Sequence, residues 1–248
     1  MTAAVRMTKG EQTREAILEE AAELASLVGL GGLTIGTLAA ATKLSKSGLY
    51  AHFASKEALQ VDVLQHARES FTDRVVRVAI KAPRGEPRLR ALFEGWLAWQ
   101  SGAYAGGCLF VNAASEFDDQ PGPVRDELVR AERDKNETVT VVVRSAVTEG
   151  HFRPDVDPEQ LAYEFEGMLL AQHHARRLMN DPRADERAMR DPLGRPGVGR
   201  DAQEARRPVE PSAVEDRPPR GPERLRLAGL RAAQADRGDR LRRPPVEF

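Results

Sequence analysis

Leu33-Thr34-Ile35-Gly36-Thr37-Leu38-Ala39-Ala40-Ala41-Thr42-Lys43-Leu44-Ser45-Lys46-Ser47-Gly48-Leu49-Tyr50-Ala51-His52-Phe53 reads as two short helices joined by a tight turn. Ile35, Leu38 and Ala39 recur at helical spacing and give the first helix an apolar face. Ser45 has the chemistry of an N-cap, because its hydroxyl can accept a hydrogen bond from a free amide of the next turn. Leu49 and Phe53 stand four apart and turn inward together. Lys46, Ser47, Gly48, Tyr50, Ala51 and His52 are left at the outer side. A short helix clamped on its apolar side, with small, hydroxyl and basic groups outward, suits the major groove of DNA.

The flanks extend this reading. Thr8 and Glu11 have capping-box spacing and open a first helix. Its apolar stripe runs from Ile17 and Leu18 through Ala21, Ala22 and Ala25 to Val28. Gly29, Gly31 and Gly32 end it. Arg6, Lys9 and Arg14 are within reach of phosphate. On the other side Ser55 caps a helix that runs to about Ala82, where Pro83, Gly85 and Pro87 break it.

From Arg88 the pattern stays helical. Leu89, Leu92, Phe93, Trp96 and Leu97 form one stripe, and Cys108 to Phe117 is a short, nearly apolar segment. Pro123 opens a long helix to about Thr148. The β-branched run Val139-Thr140-Val141-Val142-Val143 weakens helix propensity there; the flanks carry no strand signal, so a helix is expected. Asp157-Pro158-Glu159-Gln160 is a further helix start, and another short helix is expected after Asp181-Pro182. From Asp191 the composition turns to Arg, Pro, Gly, Asp and Glu with few apolar residues, and disorder is expected.

The run Leu44-Ser45-Lys46-Ser47-Gly48-Leu49-Tyr50-Ala51-His52-Phe53-Ala54-Ser55-Lys56-Glu57-Ala58-Leu59 resembles the DNA-binding domain of the TetR/AcrR family of bacterial transcriptional regulators. The resemblance is firm from about Lys9 to Leu64 and looser to about Met189. It implies an all-α fold: a helix-turn-helix domain over residues 8–54, a helical regulatory and dimerisation domain over 55–190 with a linking helix at 55–82, and a tail at 191–248. It implies a homodimer that binds a palindromic operator in double-stranded DNA and releases it when a small-molecule effector binds. The implied DNA contacts are Thr34, Lys43, Ser45, Lys46, Ser47, Gly48, Tyr50, His52 and Lys56. Lys43 departs from the family, which has a small residue, often Gly, at this turn. The effector pocket is expected among Trp96, Trp99, Cys108, Phe110, Phe117, Tyr163, Phe165 and Met168. Some family members sense electrophiles through cysteine, which singles out Cys108. The abrupt change at Asp191 leaves a second reading open, a DNA-binding chain whose last dimer helix is replaced.

The bulk numbers bound these readings. A chain of 248 residues that is 41% hydrophobic can build a sizeable core, and 5% aromatics with abundant Ala and Leu favour helices. A formal net charge of −1 excludes a general basic coat, so DNA affinity must come from local placement of Lys and Arg. One cysteine excludes an intramolecular disulfide framework and fits a reducing cytoplasm. No apolar run has the length of a membrane helix. No nucleophile–base pair, phosphate loop, cofactor motif or metal-ligand cluster stands out, so an enzyme is not expected.

Overall fold

The computed structural model describes residues 8–190. The expectations for Arg6 and for the tail at 191–248 lie outside the described residues. The elements are α1 (Lys9–Val28), α2 (Ile35–Thr42), α3 (Lys46–Tyr50), α4 (Lys56–Phe71), a π-turn (Thr72–Val76), α5 (Arg77–Ala79), α6 (Glu86–Gly102), α7 (Leu109–Phe117), α8 (Pro123–Thr148), α9 (Pro158–Arg177) and α10 (Ala184–Met189). There is no strand among the described residues.

Local chemistry starts these helices where the sequence places the caps. The Thr8 hydroxyl accepts from the Glu11 amide at 3.3 Å, and the Glu11 carboxylate accepts from the Thr8 amide at 2.7 Å. Ser55 caps α4, and Asp157 caps α9 by accepting from the amides of Glu159 and Gln160. Gly29 ends α1 with φ +82°, a conformation that a side chain would strain. Pro87 does not act as the expected breaker. It lies in the first turn of α6, where its missing N–H has no helical partner to lose. The helix from Ser55 keeps going to Ala79, but through a π-turn at Thr72–Val76. The valine run at Val139–Val143 stays helical because tertiary burial outweighs propensity: Val139, Val142 and Val143 are all in the core.

One continuous core runs from Ile17 to Leu169. Helix α4 is its spine, packed on α1 on one side and α8 on the other. The α1 seam is polar as well as apolar. His66 of α4 is buried with its two ring nitrogens 3.0 and 2.8 Å from the carboxylates of Glu15 and Glu19. Arg14, expected at phosphate, instead pairs with Asp62 at 2.6 Å and lies over the Phe53 ring. Its charge is drawn inward by a carboxylate already held on α4. On the α8 side, buried Glu127 meets Arg68 and Arg130 and accepts from Gln65. Deeper in, Phe71, Trp96, Phe93 and Phe165 meet edge to face, the geometry that ring quadrupoles favour.

Candidate nucleic-acid interface

Helices α2 and α3 are held in place by residues three apart. Thr34 Oγ1 accepts from the Thr37 amide at 3.0 Å, and Thr37 Oγ1 accepts in return from the Thr34 amide at 2.9 Å. Ser45 Oγ accepts from the Gly48 amide at 3.0 Å. Between them Lys43 takes the left-handed conformation, φ 58° and ψ 21°. A turn this tight needs positive φ, and Lys bears it at a cost of about 1 kcal/mol relative to Gly. Ile35, Leu38, Leu49 and Phe53 anchor the pair to the core.

With the apolar side fixed, the polar side is exposed. Lys43, Ser45, Lys46, Ser47, Gly48, Tyr50 and Lys56 lie on the surface, and Thr34 and His52 are half-buried. Tyr50 is 58% exposed although aromatic, while its neighbour Leu49 is fully buried. The nine expected residues thus belong to consecutive short segments, none of them inside the core. Lys56 differs from expectation in one respect: its ammonium donates to the Gly31 carbonyl at 2.7 Å.

That contact is part of a clamp that no local sequence pattern marks. Glu116, on α7, accepts from the amides of Leu30 and Gly31 at 3.0 and 2.6 Å. Gln60 donates to the Leu30 carbonyl at 2.6 Å. Nearby, the Gly106 amide donates to Ser26 Oγ, and the Ala105 amide donates to Glu23. A Cβ on Gly106 would fall 1.8 Å from the Ser26 carbonyl oxygen, so only glycine lets this loop press against α1. The loop that leads into the two short helices is therefore gripped from α4 and α7 together.

The opposite face of α7 borders a cavity of about 350 Å³ between α6, α8 and α9. Of the expected pocket residues, Trp96, Cys108 and Phe110 come together there. The others do not. Trp99 packs against Phe71 and Tyr104, and Phe165 lies in the core against Phe93 and Trp96. Phe117 and Met168 border other hollows. Tyr163 is 71% exposed: it stands two residues from buried Phe165, which on a helix places it on the far side. The cavity adds residues that the sequence reading passed over, Gln100, Glu132, Lys135 and Glu166. Burial pushes the Cys108 thiol up, against the pull of Lys135, so it stays protonated and a poor nucleophile. Burial, and then the charge of Glu132, also push the Glu166 carboxyl up.

A capped helix pair with a basic, hydroxyl-rich exposed face defines a helix-turn-helix DNA-binding protein. Residues 17–63 match the family model described as bacterial regulatory proteins, tetR family, and residues 85–191 match the tetracyclin repressor-like C-terminal domain. The chain belongs to the TetR family and is a DNA-binding transcriptional regulator. It is similar to a TetR regulator from Chloroflexus aurantiacus, with 27% identity and a TM-score of 0.71 over 78% of this chain and 99% of that one. It is similar also to AibR, solved with isovaleryl coenzyme A and operator DNA, at 26% identity and a TM-score of 0.56 over 71% of this chain and 96% of that one. A TetR-family regulator from Cytophaga hutchinsonii shares the fold at 20% identity and a TM-score of 0.65, over 75% of this chain and 94% of that one. No curated protein matches the chain. No helix among the described residues is long and apolar enough to cross a membrane.

Proposed function

We propose that the protein is a ligand-responsive repressor, in which residues 8–54 read DNA and residues 55–190 bind effector and dimerise. Lys46 and Ser47 open α3, where base edges lie closest, and Tyr50 and His52 meet phosphate or sugar. Lys43 and Lys56 add cations at the edge, and Thr34 presents the amide end of α2. The observation that carries the reading is the grip of Glu116 on the Leu30 and Gly31 amides. One short helix, α7, borders the cavity and holds the loop before the reading helices. A ligand that shifts α7 changes the population of head positions able to match two half-sites about one helical turn apart.

Dimerisation is supported by the outer side of α9 and the segment after it. Tyr163, Leu178 and Met179 are each more than 60% exposed, an apolar display that a second copy would cover. The crystal of AibR with operator DNA and isovaleryl coenzyme A supports the pairing of DNA and small molecule in a similar chain.

A mobility-shift assay on the DNA upstream of the protein's own gene tests the reading. A retarded band is expected, weakened for all sequences alike by Lys56→Ala, with a salt dependence that flattens by about one phosphate contact. Absence of any shift at low salt overturns it. Analytical ultracentrifugation separates the two assembly readings: a dimer is expected, and a monomer that still binds DNA favours the chain with a replaced dimer helix.

A further inference from the structure

The cavity between α6, α7, α8 and α9 has more carboxylates than cations. Asp118, Glu132 and Glu166 face it with a single ammonium, Lys135. Lys135 is already taken: it donates to Glu132 at 2.6 Å. Among the described residues neither Asp118 nor Glu166 has a cationic side chain within ion-pair distance. An anionic ligand would meet an acidic surround and a Lys whose charge is spent.

Two further observations point to what the cavity lacks. Gln100 is 2% exposed and lies on the cavity wall. Its Nε2 donates to the Leu169 carbonyl, an atom that can only accept, so the amide orientation is fixed. Its Oε1 is buried with no donor. Such an acceptor is unfavourable while unpaired and is relieved by an N–H from a ligand. The aromatic wall also tolerates positive charge. The Lys135 ammonium lies 4.2 Å from the Phe110 ring centroid and 5.5 Å from that of Trp96.

The geometry points to a lipophilic amine as the ligand of this cavity, its protonated primary or secondary head between Glu166 and Gln100 Oε1 and its apolar body against Trp96, Phe110 and Leu169. A quaternary ammonium fits less well, since it has no N–H for Gln100. This rests on the effector-binding role of the body proposed above and names the chemistry of that effector.

Calorimetry on the full chain with octylamine, octanol and octanoate tests it, three probes that share one tail and differ in the head. Octylamine is expected to bind at least tenfold tighter than either of the others. Glu166→Gln and Gln100→Leu are each expected to weaken octylamine about tenfold while changing octanol little, and a melting curve for each variant checks folding. Tightest binding of octanoate overturns the proposal in favour of recognition by Lys135. Equal binding of all three, or of none, overturns it as well. Adding octylamine to the DNA complex is a separate arm: calorimetric binding without DNA release keeps the amine site and sinks the inducer role.

Discussion

The reading head and the body cavity solve opposite problems. In the head, polar groups are paired within a few residues of themselves: Thr34 with Thr37, Ser45 with Gly48. Lys43 and Lys46 are left to solvent. In the cavity, charges and amides come from distant helices and are not all paired, as Gln100 Oε1 is not. A surface that must meet a large, rigid polyanion needs a frame that stands alone. A hollow that must respond to a small molecule keeps groups that are incomplete until it arrives.

Substitutions in the two regions are expected to differ in size and sign. The largest effect is expected from Phe53→Ala, which empties a fully buried site behind α3 and costs about 3–5 kcal/mol. Denaturant unfolding measures it, and a loss under about 1 kcal/mol would mean that the head does not depend on its anchor. Gly106→Ala comes next, at about 1–3 kcal/mol, because its Cβ collides with backbone rather than with a movable side chain. Glu116→Gln follows at about 1.5 kcal/mol, since a neutral amide holds the Leu30 and Gly31 amides less well. Hydrogen exchange at those two amides is expected to quicken.

Two smaller effects have the opposite sign. Lys43→Gly relieves a left-handed residue and is expected to stabilise the fold by up to about 1 kcal/mol, while weakening DNA binding through the lost charge. Thermal melting and a salt titration read the two separately. For Glu166 the folded state binds the proton more tightly than the unfolded chain does, because its carboxyl is pushed up. Stability is thus lost as pH rises from the unfolded pKa through the raised folded one. Glu166→Gln is expected to melt higher than the parent at neutral pH and to lose that advantage in acid.

The head was legible because its determinants are local. Cap, turn, anchor and exposed face lie within about two dozen residues, and even the strained Lys43 shows as a Lys where a Gly would be easier. The cavity was legible only where an aromatic or sulfur side chain drew attention, at Trp96, Cys108 and Phe110. Choosing aromatics could not separate Phe165, in the core, from Tyr163, on the outer face. Gln100, Glu132, Lys135 and Glu166 read in the sequence as ordinary polar residues of amphipathic helices. What joins them is the packing of α6, α8 and α9, which no short window of sequence contains. The grip of Glu116 on residues 85 and 86 positions away was hidden for the same reason.

Gly106 rests directly on the Ser26 carbonyl, main chain upon main chain. A joint filled by side chains can absorb a small push by changing rotamers. This one has no such cushion, so in the switch proposed above a tilt of α7 would reach the end of α1 through the main chain of its preceding loop, a second and stiffer lever alongside the long spine of α4.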